Sequence, residues 1–411
     1  MIRPRPWTLH AAFARRDRNP PTGVYGTDFN DPRTALSDQT LQASAQYRAP
    51  LAQGGEWSAR LSFGDYQFQS RLPIAGVMNR DAVHGQWWGL DARAERPGWQ
   101  GLPLVYGVEY RRDGKQEQHN YDENPPRTFV DDRRQGTQWG LYAQQDFGFL
   151  SAARLTAGTR LDHHARHGAR LSPRVALVGP LEGGSRLKLS AAHAHRLPNV
   201  FEQFYGDASV AGATYKANPA LRPETKNSLE GSLETPLGQA AQVTLSLFAS
   251  RVRDNIAHTL DPADGLLQFQ NGPGMSLHGF EAGYETILPG DGKLNLDYTH
   301  TRVRVRGGTP ANSPRHLFKG RYSLKLPGTD TSLGLEAQAQ SGVLTRTGRV
   351  GGYTQWHLHL AQPLGRSAEL ALGVRNLTGH RGRTPVDLEH VPDSIENEAR
   401  VWRLDFRLGF D

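Results

Sequence analysis

The sequence predicts an all-β chain folded as a transmembrane, antiparallel, up-and-down β-barrel of about eighteen strands. Alternation of apolar and polar residues with period two recurs from one end to the other. The connections between alternating stretches run long, short, long, short. Apolar residues make up only 37% of the 411-residue chain, where a soluble domain carries roughly 45–50%. A large compact body needs more apolar residues to fill its interior, so either much of the chain is loop or the interior is wet.

Each element rests on its own alternation. The closing stretch "VWRLDFRLGFD" puts Trp402, Leu404, Phe406, Leu408 and Phe410 on one face and Arg403, Asp405 and Arg407 on the other, because a strand sends successive side chains to opposite sides. "RLKLSA" sets Leu187 and Leu189 against Arg186, Lys188 and Ser190, and "KLNLDYT" sets Leu294, Leu296 and Tyr298 against Lys293, Asn295 and Asp297. "QWHLHL" and "ELALGVRN" repeat the device. In chain order, strands are expected near 7–14, 40–49, 56–66, 84–95, 102–112, 136–146, 150–160, 171–179, 185–195, 225–236, 240–251, 275–286, 292–303, 316–326, 330–344, 351–361, 367–377 and 399–410, with no convincing helix. Long connections are expected at 15–39, 67–83, 113–135, 196–224, 252–274 and 378–398, and short ones at stretches such as "PLAQGG", "GPLEGG" and "LPGDG". A soluble sandwich has no reason to gather its long loops at one end, whereas an outer-membrane barrel has short periplasmic turns and long external loops. Trp57, Trp87, Trp88, Trp139, Trp356 and Trp402 fall toward strand ends, where interfacial aromatic girdles belong. The oily face of 401–410 is therefore assigned to lipid and its charged face to a watery lumen.

Composition narrows the function. No cysteine is present, which excludes disulfides and thiolate metal sites. Net charge is +7, and only seven of the 48 basic residues are Lys. That balance reflects either codon usage or affinity for anions. No basic run or aromatic–basic module appears, so no nucleic-acid partner is expected. No run of about 18 apolar residues exists to make a spanning helix, and "MIRPRPWTLHAAFARRDRNPP" lacks the apolar core of a signal peptide.

Candidate sites are few. His163, His164 and His167 in "LDHHARHG" are the candidates for metal or haem capture, set against plain polar loop filler. His193, His195, His357 and His359 are expected on lumen-facing positions. Glu117, Asp122, Glu123, Asp131 and Asp132 crowd one loop, yet they lack the spacing of a known calcium loop, and self-neutralisation with the neighbouring arginines is expected. Arg302, Arg304 and Arg306 are expected to line the outer lumen, where they would guide an anionic ligand or balance lumen acids. No nucleophile elbow, phosphate loop or spaced triad is visible, so no enzyme and no cofactor are expected.

Several segments resemble the TonB-dependent outer-membrane receptors. "HRLPNVFEQFYGDASVAGATYKANPALRPETKNSLEGSLE" is similar to a family segment in which an Arg and a Pro precede an acidic–aromatic patch and a long loop. Arg196, Pro198, Glu202, Tyr205, Asn218, Pro219, Leu221, Pro223, Glu224, Glu230 and Gly231 carry the match. "FQNGPGMSLHGFEAGYE", "NSPRH" and "VRNLTGHR" resemble later strands, and "VYGTDFNDPRT" and "GQWWGLDAR" one proteobacterial branch. The resemblance runs from about residue 7 to 410. It implies a multi-pass barrel in the Gram-negative outer membrane that takes up a scarce nutrient, an iron–siderophore complex ahead of cobalamin, haem and oligosaccharide. Implied partners are outer-membrane lipid, lipopolysaccharide and a siderophore-like small molecule. The TonB system joins them only if a plug and a TonB box are supplied upstream. Implied ligand positions are Arg196, Glu202, Tyr205 and Tyr215, with Arg302 and Arg304 added from the lumen argument. Asp411 after the last aromatic departs from the family's usual ending, and neither plug nor TonB box is seen. Eighteen strands fall short of the family's 22, so the expectation is the C-terminal barrel part alone, with the wall open or poorly paired between 7–14 and 399–410. A closed eighteen-strand passive porin, which would need neither plug nor TonB, and a soluble all-β binding protein or enzyme are the competing readings.

Overall fold

The computed structural model describes residues 6–20, 22–150, 152–207, 214–306 and 310–409. Eighteen strands form one antiparallel sheet in which each pairs with its neighbours along the wall. They are β1 Trp7–Arg18, β2 Ala35–Pro50, β3 Glu56–Ile74, β4 Val77–Pro97, β5 Pro103–Asp122, β6 Arg127–Phe149, β7 Ala153–His164, β8 Gly168–Pro180 and β9 Arg186–Arg196. The wall continues with β10 Glu224–Leu237, β11 Ala241–Arg253, β12 Met275–Leu288, β13 Gly292–Val305, β14 His316–Lys325, β15 Ser332–Gln340, β16 Tyr353–Leu364, β17 Ala368–Arg375 and β18 Val401–Leu408. Each of the expected strands overlaps one of these.

Two expected loops are strand instead. β3 and β4 pair without a break from Glu56–Glu95 to Ile74–Val77. They turn at Ala75 and Gly76, whose φ values of 49° and 80° suit a two-residue hairpin. β5 and β6 pair up to Asp122–Arg127, with bulges near Asp113 and Asn120. So 67–83 and 113–135 are tall hairpins standing beyond the membrane. The sequence signal faded there because the outward face turns polar at Asp65, Gln67 and Gln69, while the backbone ladder continues. Two smaller differences follow. The expected strand 330–344 stops at Gln340, and Val343–Leu344 pairs with Arg349–Val350 instead. One short helix, α1 Val200–Phe204, sits in the connection between β9 and β10.

The outward face carries the apolar band. On β18, Trp402, Leu404 and Phe406 are 62%, 70% and 62% exposed, while Arg403, Asp405 and Arg407 line a lumen cavity with His357, His359 and Glu336. Phe410 lies outside the described residues. Aromatic clusters mark both edges of the band. Trp7, Tyr47 and Trp57 meet at the short-turn end, with centroids 5.0 and 5.5 Å apart. Phe280, Tyr298, His300 and His316 meet toward the other end. Such girdles belong at the two membrane interfaces.

Parity corrects three expectations. β13 pairs with β12 without a register shift from Leu288–Gly292 to Met275–Val305. Arg302 and Arg304 therefore share the side of Leu294, Leu296 and Tyr298 and face outward, not into the lumen. On β9, His193 shares the parity of Leu187 and Leu189 and also stands outside, bonded to Asn227 Oδ1 at 2.7 Å. A one-residue error of parity exchanges lumen for exterior.

The wall has a seam. Among the described residues β1 pairs only with β2, and β18 only with β17. The opening expected between the first and last strands is present, and the continuous ladder that a closed eighteen-strand porin requires is not. Loops bridge the seam at its outer end. The Tyr25 N–H donates to the Glu389 carbonyl at 2.7 Å, and Thr22 Oγ1 meets His390 Nδ1 at 2.9 Å. Gly23 holds φ 64°, and a Cβ there would lie 2.8 Å from Val391, so this crossing requires glycine.

The face assignment is testable below the outer girdle, where Leu245 lies opposite Ala282. Leu245 is 48% exposed, whereas Ser246 bonds Ser232 across the opposite face. In lipid vesicles, Leu245→Arg should lower unfolding free energy by about 2–4 kcal/mol and Ser246→Arg by under about 1, as read by denaturant titration. Equal losses would refute the assigned faces.

Candidate functional site

Beyond the outer girdle, the tall hairpins, Tyr25 of the β1–β2 connection and the described part of the β9–β10 connection, from Phe201 to Asp207 and at Thr214 and Tyr215, enclose a cavity of about 550 Å³. That size holds a drug-sized ligand. The inward faces of β3 and β4 contribute Tyr66, Phe68, Ser70, Leu72, Val83, Asp81 and Asn79, all of one parity in the ladder. Connection residues complete it with Tyr25, Phe201, Tyr205 and Tyr215.

Helix α1 has five residues, too few to hold itself together, and side chains fix it. Asn199 Oδ1 accepts from the Glu202 N–H and Glu202 Oε2 accepts from the Asn199 N–H, both at 2.8 Å, which is a capping box. Arg196 at the end of β9 donates to both Glu202 oxygens at 3.0 Å and to Glu224 at 2.7 Å. Arg196 and Glu202 thus neutralise each other and clamp the base of the connection. Phe204 is held between the Arg134 and Arg166 guanidinium groups, 3.4 and 4.6 Å from its ring centre. These contacts turn Phe201 and Tyr205 toward the cavity. Tyr205 packs against Phe201 and Tyr215, and Tyr215 continues the stack through His258 to Phe269. A small loop sheet holds Tyr215, pairing Tyr215–Lys216 with Leu267–Asn271, which pairs in turn with Ile256–Leu260.

The polar centre lies on the hairpins, above the segments that cross the membrane. The Tyr205 hydroxyl donates to Asp81 Oδ2 at 3.0 Å and accepts from Asn120 Nδ2 at 3.0 Å. Asn79 Nδ2 donates to Asn120 Oδ1 and Asp122 Oδ1, both at 2.9 Å. The second oxygen of Asp81 is buried without a partner among the described residues. Burial pushes the Asp81 carboxyl up to about 6, against hydrogen bonds from Tyr205, the Ala82 N–H and Asn120. Burial likewise raises Tyr205 and Tyr215, and lifts Tyr25 to about 12 with help from Glu389 and Asp81. All three phenols stay protonated; Asp81 accepts the Tyr205 hydrogen bond, and Tyr25 and Tyr215 can donate to a ligand.

Tyr205 and Tyr215 thus stand in the vestibule, Arg196 and Glu202 support it, and Arg302 and Arg304 are outside it. The histidines do not converge. His163 stacks on Trp139, centroids 5.3 Å apart, while His164 stacks on His167 at 5.2 Å. His167 faces Gln203, and burial pushes it down to about 4. The described residues hold no group of three or more His, Cys, Asp or Glu able to bind a metal ion. The acidic cluster on the β5–β6 hairpin meets its own partners, Arg133 with Asp131, Arg134 with Asp132, and Arg80 with Glu123. Tyr25, Tyr66, Asp81 and Asn120 escaped the sequence reading. For Tyr66 and Asp81 the signal was the continuing parity of Phe68, Ser70 and Leu72 across a stretch taken for loop; Tyr25 lies on no strand and had none.

The family profile described as "TonB dependent receptor-like, beta-barrel" matches residues 3–377. The chain belongs to the TonB-dependent receptor family, in its β-barrel part. The iron-regulated outer membrane virulence protein of Vibrio cholerae (El Tor Inaba N16961) is 27% identical over 238 residues, 54% of this chain. That match spans about a third of the relative's length, 36%. A mutant of the ferric enterobactin receptor of Pseudomonas aeruginosa shares the fold at TM-score 0.79 and 16% identity, covering 98% of this chain and 67% of that one. The siderophore receptor PirA of Acinetobacter baumannii does so at TM-score 0.76 and 12% identity, covering 98% and 68%. At such identities these structures establish the architecture of the receptor barrel.

The Asp81 contact gives the barrel a pH dependence of definite sign. Docking raises this carboxyl from its ordinary 3.8 to about 6. The docked connection therefore binds a proton more tightly than the undocked one, so docking is strongest below the ordinary value and weakens as pH rises through about 6. Hydrogen exchange at 200–206, corrected for intrinsic rate, should be slower at pH 5 than at pH 7.5 by up to roughly tenfold, because pH 5 lies one unit below the docked carboxyl's value of about 6. Asp81→Asn should remove the difference, and faster exchange at the lower pH would refute the assignment.

Proposed function

We propose that this barrel belongs to an outer-membrane receptor that takes up a ferric siderophore, captured first in the aromatic vestibule. The observation that carries the reading is the convergence of protonated Tyr25, Tyr205 and Tyr215 with Phe201 on one cavity at the external end. Siderophore complexes offer flat unsaturated surfaces and many hydrogen-bond acceptors, which phenols and aromatic faces suit. The receptors named above for siderophores share the barrel architecture. Transport in this reading draws on a plug and the TonB system acting with the barrel, and involves no covalent step. The barrel's own share is capture and passage across the Gram-negative outer membrane.

Charge narrows the ligand. The lining holds Asp38, Asp81, Asp122 and Asp207 against Arg18, and Arg18 is already paired with Asp38 at 3.1 Å. Such a lining favours a neutral or cationic complex over a trianionic one. Ferric trihydroxamates are neutral and ferric triscatecholates are trianionic. Radioiron binding to the refolded chain should favour a ferric trihydroxamate over a ferric triscatecholate by at least about tenfold, a difference of about 1.4 kcal/mol. Tyr215→Ala should weaken it by a similar factor. Binding in the reverse order would overturn the charge argument, and no binding of either complex would overturn the siderophore reading.

A further inference from the structure

The vestibule holds more negative charge than its own residues balance. Asp38 is met by Arg16 at 3.0 Å and by Arg18 at 3.1 Å. Asp81, Asp122 and Asp207 line the same cavity, and none of them makes an ion pair among the described residues. Their hydrogen bonds come from neutral donors. The Tyr205 hydroxyl serves Asp81, the Asn79 amide serves Asp122, and the Thr214 and Tyr215 N–H groups serve Asp207. Such donors hold a carboxylate in place without cancelling its charge. Asp81 also keeps its Oδ1 buried and unpartnered. A buried charge with neither a counterion nor a full set of hydrogen bonds is costly, so the cavity favours a ligand that brings positive charge.

The surroundings decide which kind of cation fits. Among the described residues no group of three or more His, Cys, Asp or Glu is placed to bind a metal ion. What stands around the carboxylates is aromatic. Tyr205 and Tyr215 meet nearly at right angles, 89°, with centroids 5.4 Å apart. Phe201 tilts against Tyr205 at 4.7 Å, and Tyr25 lines the same cavity. Perpendicular rings form the corner of a box, and ring faces attract a weakly hydrated organic ammonium group. Phe68, Leu72 and Val83 add apolar lining that suits an alkyl chain.

We propose that Tyr25, Tyr205 and Tyr215, together with the charges of Asp81 and Asp122, form a subsite for an organic ammonium group carried on an alkyl arm. One consequence rests on the siderophore reading of the vestibule: the ligand class narrows to ferric hydroxamate complexes that end in a free protonated amine. Such a complex is monocationic, because its iron centre is neutral. The subsite itself stands on the charges and rings alone.

Two measurements on the full chain in detergent test the subsite and separate it from the siderophore reading. The first uses no iron. Saturation-transfer NMR titrations with n-pentylammonium and with its uncharged counterpart N-pentylacetamide should show the ammonium binding at least about tenfold more tightly. Potassium ion at equal concentration should not displace it. The second compares radioiron binding of a linear ferric trihydroxamate ending in a free amine with that of its N-acetyl derivative. The free amine should again win by at least about tenfold. Asp81→Asn combined with Asp122→Asn should bring that ratio to about one, while Asp131→Asn, outside the cavity, should keep it. An absent ammonium signal, equal affinities within either ligand pair or displacement by potassium would overturn the proposal, and none of these needs a variant. Tight n-pentylammonium binding with neither ferric complex bound would uphold the subsite and remove the siderophore reading.

Discussion

The structure depends on one constraint, that backbone N–H and C=O groups facing hydrocarbon find partners within the protein. The ladder that meets this demand forces a two-residue period on every wall strand. Each position is thereby committed to lipid or to lumen, with no intermediate choice. Leu247 and Ser246 are neighbours in sequence and occupy different solvents. The same commitment places an arginine two residues above a girdle histidine on the exterior.

Above the membrane the constraint relaxes, and the hairpins exploit it. The β3–β4 and β5–β6 ladders continue, but their outward face now meets water and turns polar. Their inward face becomes free to build a site. There the wall ceases to be a barrier and becomes one side of a vestibule, with α1 and the loop sheet as the other. Asp81, Asn79 and Asn120 are carried on rigid ladder, while Tyr205 and Tyr215 are carried on connections held by the Arg196–Glu202–Glu224 clamp. The rigid ladder and the clamped connections meet at one buried carboxyl, Asp81, whose raised proton affinity favours that contact at low pH.

The seam is where the constraint is left unmet within the described residues. β1 and β18 each present an edge of backbone groups without a ladder partner, and such edges in hydrocarbon require covering. The loops that cross above them, through Tyr25, Gly23 and Glu389, order the mouth without supplying the missing hydrogen bonds. Loop contacts and wall closure are thus independent in this barrel.

The sequence by itself determined the wall: eighteen strands, their order, the end that carries the long connections, and the oily side of β18. Those follow from local alternation, which hydrocarbon enforces residue by residue. Resemblance in motif order added the family. Tertiary structure alone decided three things. It showed that 67–83 and 113–135 are ladder, because pairing there rests on a partner strand and not on an outward apolar signal. It brought Tyr25, Asp81, Asn120 and Tyr205 together across more than a hundred residues, which no local spacing encodes. It also assigned Arg302, Arg304 and His193 to the exterior, because the side of a polar residue is fixed by counting an unbroken register from an apolar neighbour, and only the paired strands show that the register is unbroken.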